Sequence, residues 1–222
     1  MINGIIDLPK NSFKMMTNTE TEISYLAIGD SYTIGEDVPL ESSFPYQLTE
    51  ELKARGLQLA KPDIIAKTGW TTSELQDGIR SADLNRKFTI VTLLIGVNNQ
   101  YRGEPKEKYR NEFKELLQTA IAFANGNKTH VFVVSIPDWG LTPFGMESGR
   151  DVHFISSDID AFNVINKEES LAEGVSYTDI TIASRLVVSD KELIASDGLH
   201  PSPKMYLDWA LKLAPVVIEK FK

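Results

Sequence analysis

The chain has 222 residues, 42% of them apolar, and its 23 Lys and Arg against 31 Asp and Glu give a formal net charge of −8. That length and apolar content suffice for one sizeable core, so a single domain is the default. The acidic balance argues against a nucleic-acid groove or an anionic membrane surface, both of which need clustered Lys and Arg. The absence of cysteine excludes disulfides, thiolate metal sites and Cys nucleophiles.

No apolar run approaches the ~20 residues of a membrane span. Residues 1–22 are polar, are interrupted by Pro9, and lack the apolar stretch of a signal peptide. They read as an N-terminal extension ahead of one domain over residues 23–222. A cytoplasmic location is the expectation, with a periplasmic or secreted one as the alternative if a signal has been removed.

Ile23 to Ile28 is a short apolar run of buried-strand type. It stops at the small, turn-forming Gly29-Asp30-Ser31, and a helical pattern resumes a few residues later. A serine at the C-terminal end of a buried strand faces the crevice where open α/β sheets place their ligands. Backbone N–H groups left free in such a turn can hold an oxyanion. Neither nucleotide loop is satisfied: no Lys-Ser or Lys-Thr follows at phosphate-loop spacing, and Gly29 and Gly35 do not make G-x-G-x-x-G.

Ser42-Ser43-Phe44-Pro45 reads as a helix start with a serine cap and a first-turn proline. Phe44, Leu48 and Leu52 share one face, and Gly56 ends the helix. A second strand, Pro62 to Lys67, ends at Thr68-Gly69-Trp70, after which Thr71 or Thr72 caps a helix running to about Asp83. Phe88 to Ile95 is the strongest strand signal, apolar and β-branched as a strand covered on both faces should be, and it ends at Gly96-Val97-Asn98-Asn99. A long helix follows Glu104-Pro105 and stops at Asn125-Gly126, and His130 to Ile136 is a fourth strand closing at Pro137-Asp138. Asp138 to Asp151 reads as an irregular loop, long enough to be functional. A helix from about Ser157 to Glu173, a short strand from Val175 to Tyr177, and a last helix opened by Ser202-Pro203 and kinked at Pro215 complete the chain. Strands and helices alternating five times predict a parallel sheet with helices on both faces. Ser31, Gly69, Asn98 and Asp138 then lie along one sheet edge.

One further stretch carries chemistry. In Ser196-Asp197-Gly198-Leu199-His200-Pro201 a carboxylate three residues ahead of a histidine can fold back onto one imidazole nitrogen and leave the other to face a serine. Alone, Asp-x-x-His is a weak signal. His130 reads as structural and His153 as a surface residue, and three histidines without cysteine offer no metal-ligand spacing.

Taken together, Gly29-Asp30-Ser31-Tyr-Thr-Ile-Gly35, Gly69, Gly96-Val97-Asn98-Asn99 and Asp197-Gly-Leu-His200 resemble, in order and spacing, the four blocks of the SGNH or GDSL-type hydrolase family. The resemblance runs from about Ile23 to the C-terminus. It implies a single three-layer α/β/α domain with a five-stranded parallel, flavodoxin-like sheet. It also implies Ser31 as nucleophile, His200 as base and Asp197 as the residue orienting it, with an oxyanion hole made by the backbone N–H groups of Ser31 and Gly69 and the side-chain amide of Asn98. Such neutral donors suit an alkoxide without trapping a carboxylate product.

The family's usual Asp after the oxyanion Asn is Asn99 here, so Asn99→Asp is expected to change activity far less than Asn98→Ala. Asp30, Tyr32, Asn99, Trp139 and Phe144 complete the candidate set as substrate-binding residues. Trp139, Leu141, Phe144, Met146 and Phe154, in the segment from Asp138 to Phe154, are expected to wall a small acyl pocket, packing on a neighbouring helix being the alternative. The implied reaction is hydrolysis of a small-molecule carboxylic ester through an acyl-serine, with no cofactor and no metal. A thioesterase or a carbohydrate O-deacetylase would use the same residues. A catalytically silent binding module is the reading from another class, and the joint presence of Ser31, Asp197 and His200 argues against it.

Overall fold

A computed structural model describes residues 22–222 of the chain. The five apolar runs become β1 (Tyr25–Asp30), β2 (Asp63–Lys67), β3 (Ile90–Leu94), β4 (Val131–Val134) and β5 (Ser176–Thr178). All pair in parallel, in the order β2-β1-β3-β4-β5. Every residue of β1, β3 and β4 is buried, whereas the edge strand β2 is only partly so. Central strands of a parallel sheet are covered on both faces, which is why their sequences are apolar throughout. This is the flavodoxin-like order. The chain leaves β1 in one direction to form β2, then returns past β1 to form β3, and the crevice at such a reversal is where ligands bind.

The helices are α1 (Ser31–Ile34), α2 (Phe44–Ala54), α3 (Thr72–Ala82), α4 (Val97–Tyr101), α5 (Lys106–Phe123), α6 (Pro143–Glu147), α7 (Val152–Ala172), α8 (Thr181–Ser184) and α9 (Pro203–Glu219). α2 packs on α9, while α5 packs on α3 and α7, so helical layers cover both sides of the sheet. The inward stripes are those expected from helical spacing: Phe113, Leu116, Leu117 and Ala120 on α5, and Tyr206, Trp209, Leu213 and Val217 on α9 are all buried.

Several local expectations are corrected. Ser43 precedes α2 but does not cap it with its side chain; its Oγ instead donates to Leu40 O (2.7 Å), closing a tight turn over Leu40–Ser42. At α3 the cap is Thr71, in a reciprocal box with Glu74. The segment from Asp138 to Asp151 is not irregular throughout, because Thr142 and Pro143 start α6 within it. α7 begins at Val152, five residues before the expected Ser157, where the Asp151 carboxylate accepts from the N–H groups of His153 and Phe154. The last helix is as expected, α9 running from Pro203 to Glu219 with Pro215 inside it. The two remaining histidines are as expected: His130 ends a short turn before β4 and its ring stacks on Phe221 (4.7 Å between centroids), while His153 is exposed on the first turn of α7. The extension expected over residues 1–22 lies outside the described residues, save Glu22. No helix among the described residues is long and apolar enough to cross a membrane.

Candidate active site

Gly29, Asp30 and Ser31 form the junction between β1 and α1. A Cβ at Gly29 would lie 2.3 Å from the carbonyl oxygen of Leu94 on β3, so only glycine lets the two central strands end side by side. Asp30 caps α1, its Oδ1 accepting from the Tyr32 N–H (3.0 Å). Ser31 is thereby fixed at the mouth of the switch-point crevice. It is only 4% exposed.

The partner arrives from the turn before α9. His200 Nε2 lies 3.0 Å from Ser31 Oγ, and His200 Nδ1 lies 2.5 Å from Asp197 Oδ2. Asp197 Oδ1 also accepts from the backbone N–H groups of Leu199 and His200 (2.9 Å each), a turn that Gly198 permits at φ 72°. Partial burial pushes the Asp197 carboxyl up, but the His200 ring and these two N–H groups outweigh it and hold the group below the ordinary carboxylate range. A carboxylate against Nδ1 keeps the ring proton there and leaves Nε2 to accept from the serine hydroxyl. The Tyr32 ring, 5.1 Å from the imidazole, packs against it from inside.

Gly69 and Asn98 face the same cavity as Ser31 and His200, which measures about 220 Å³. Helix α4 grips the turn that carries Gly69. Asn98 Nδ2 donates to Trp70 O (3.0 Å), and Arg102, one helical turn on and paired with Glu74, donates to Gly69 O (2.5 Å). One N–H of the Asn98 amide is thus spent on fixing its direction. Gly69 itself sits at φ 81°, a conformation that favours glycine.

The sequence matches the GDSL-like Lipase/Acylhydrolase family over residues 27–207. The chain belongs to this family of hydrolases. No curated protein matches it significantly. Among solved structures, the lipase/acylhydrolase from Enterococcus faecalis is similar at 20% identity and TM-score 0.67, covering 90% of this chain and 96% of its own. The acetylxylan esterase Axe2 from Geobacillus stearothermophilus gives 16% and 0.63, with 89% and 93% covered. The psychrotrophic esterase EstA from Pseudoalteromonas sp., in a structure inhibited by monoethylphosphonate, gives 15% and 0.60, with 90% and 94% covered. At these identities the likenesses establish the fold.

In this GDSL-family hydrolase the cavity walls are Tyr32, Val97, Tyr101, Trp139, Phe144 and Leu199. Trp139 is buried and anchored by Nε1 donating to Gln100 Oε1 (2.7 Å), and Tyr101 packs edge-on against it at 5.2 Å. Of the expected pocket residues, Tyr32, Trp139 and Phe144 reach the wall. Asp30 and Asn99 do not, because both are fully buried behind it. Met146 and Phe154 are 49% and 65% exposed and do not line the cavity, and Leu141 packs on the core instead. Val97, Tyr101 and Leu199 were not anticipated. Tyr101 follows Asn98 by three residues, and that helical spacing alone would have put it on the same side of α4.

Burial pushes the Asp30 carboxyl up to about 7, with the Tyr32 N–H and the nearby Asn98 amide pulling the other way. Its Oδ2 has no hydrogen-bond partner among the described residues. A larger groove of about 530 Å³ runs between β2 and α3 beside Trp70, but neither Ser31 nor His200 borders it. No group of three or more His, Asp or Glu among the described residues is arranged to hold a metal ion.

Proposed function

We propose that the protein is a serine esterase acting on small acyl esters through an acyl-serine intermediate. The observation that carries this reading is the continuous contact from Asp197 Oδ2 through the His200 ring to Ser31 Oγ, at 2.5 and 3.0 Å. Ser31 Oγ attacks the ester carbonyl carbon as its proton passes to His200 Nε2, and Asp197 orients and stabilises the imidazolium so formed. The carbonyl oxygen becomes an alkoxide, held by the N–H groups of Ser31 and Gly69 and by the Asn98 amide. The C–O bond to the alcohol then breaks, and the alcohol leaves with the proton from His200. Water, deprotonated by the same nitrogen, attacks the acyl-serine and releases the acid.

The apolar walls and the volume of about 220 Å³ favour an acyl group of a few carbons. The likeness to an acetylxylan esterase supports the same size class.

The test is hydrolysis of p-nitrophenyl acetate by the parent, Ser31→Ala, His200→Ala and the double mutant. Each single change should remove nearly all activity and the double mutant should be scarcely worse, because residues acting as one unit are non-additive. An alkyl phosphonate should label the parent once, at Ser31. Losses that multiply in the double mutant, or labelling that survives Ser31→Ala, would overturn the assignment.

A further inference from the structure

The geometry points to Asp37 as a positioning residue that locks the Asp197–His200 pair onto the nucleophile's loop, an inference that rests on the esterase reading above. Asp37 lies six residues past Ser31, beyond the end of α1, in a turn closed by the Val38 N–H donating to Gly35 O (3.3 Å). It adopts φ 61°. A positive φ at the third position of a turn is ordinarily met by Gly or Asn. The two other non-glycine residues with positive φ among the described residues, Asp83 and Asn125, follow the ends of α3 and α5, where such a conformation closes a helix. Asp37 closes no helix. Its side chain has another use.

Asp37 Oδ2 accepts from the backbone N–H of Asp197 (2.9 Å) and from Ser196 Oγ (2.6 Å), across 160 and 159 residues of chain. These bonds join the loop leaving Ser31 to the turn whose carboxylate orients His200. Asp197 is reached by no strand or helix of its own, since it stands in a turn ahead of α9 and its carboxylate is partly exposed. The preceding residue, Glu36, accepts from Thr68 Oγ1, next to Gly69. One dipeptide therefore ties the nucleophile's loop to both the oxyanion turn and the acid turn. Catalytic groups supplied by separate loops need such ties, because a displacement of about 1 Å costs up to ~10²-fold in rate.

The variants that separate geometry from backbone strain are Asp37→Gly and Asp37→Asn. Glycine accommodates the positive φ and removes the acceptor, whereas asparagine tolerates the conformation and keeps an acceptor oxygen. Asp37→Gly should lower kcat on p-nitrophenyl acetate about 10- to 100-fold with KM little changed. Asp37→Asn should regain most of that loss. In a His200→Ala background Asp37→Gly should cost almost nothing further, because it acts by holding the turn that carries His200. The downfield proton resonance of the His200 Nδ1–H shared with Asp197 should broaden through exchange in Asp37→Gly and sharpen again in Asp37→Asn.

An unchanged kcat in Asp37→Gly, a full loss in the His200→Ala background, or an unaltered imidazole resonance overturns the role of Asp37. If the parent shows no Ser31-dependent hydrolysis, the esterase reading fails by itself, and the resonance still decides whether Asp37 holds the pair.

Discussion

At the residue scale the instructive position is Asn99. It departs from the family's usual Asp, and from sequence alone the exchange looks mild. The structure gives a reason to expect otherwise. Asn99 is fully buried, its Oδ1 accepting from the Thr72 N–H (3.1 Å) and its Nδ2 donating to Thr72 Oγ1 (2.7 Å) and to Glu104 Oε2 (2.8 Å). The carboxylate absent at 99 is present at 104, and Lys108 balances it at 3.0 Å. Asn99→Asp would set two carboxyl groups at hydrogen-bond distance, where both cannot ionise. The change should destabilise the fold by about 1–3 kcal/mol, the cost of an unsatisfied buried polar contact, and the loss should shrink at acid pH. Asn99→Asp/Glu104→Gln exchanges donor and acceptor across the same contact and should recover most of the stability. Urea denaturation of the three proteins checks this; equal stability of parent and Asn99→Asp would show that Glu104 swings away at no cost. The pairing with Glu104 was invisible in the sequence because one side chain five residues off can satisfy Asn99 only in the particular α4-to-α5 turn that this chain forms.

At the element scale, α6 supplies part of the wall of the cavity beside Ser31. Phe144 is 38% exposed and lines the cavity, with its ring 6.1 Å from Trp139 and 6.4 Å from Tyr101, and its N–H donates to Gly198 O (3.0 Å) in the acid turn. Phe144→Ala should admit longer acyl chains at the expense of acetyl. Each methylene in an apolar pocket is worth only ~1–3 kcal/mol, so the preference should move about 10- to 200-fold. The measurement is kcat/KM for acetyl, butyryl and octanoyl esters of one alcohol. Parallel losses on all three would assign α6 to stability instead. The five strands and the long helices were legible because burial on one or both faces writes a period into the sequence. α6 and the first turn of α7 were not, because Met146 and Phe154 are apolar yet face solvent. The expected pocket segment therefore mixed wall residues with surface ones. The signals that were available, Thr142 before Pro143 and Asp151 before Val152, belong to caps and not to periodicity.

At the scale of the whole molecule, the convergence of Ser31, Gly69, Asn98 and Asp138 on one sheet edge followed from strand order alone, and the contact of Asp197 and His200 with that edge needed the complete fold. Burial at the same edge gives the protein a pH signature. Asp30 is inaccessible to solvent and its carboxyl is raised from an ordinary 3.8 to about 7, whereas Asp197 is lowered. The two act in opposite senses and in separate windows. The stabilisation from Asp197 is present above its unfolded value and is lost as pH falls through its lower folded one, so that loss is confined to strongly acid conditions. For Asp30 the folded state holds a proton that the unfolded chain has released, so stability falls as pH rises from the ordinary carboxylate value toward about 7, and levels off above. In Asp30→Asn the acceptor to the Tyr32 N–H survives and the ionisation does not. The mutant should therefore gain about 2–3 kcal/mol relative to the parent between about pH 5 and about pH 8. Urea denaturation of both proteins at the two pH values gives that difference directly. A parent and mutant that lose stability in parallel would mean that Asp30 ionises in the folded protein as easily as in the unfolded chain, with its Oδ2 reached by solvent or by a donor that the fold leaves room for.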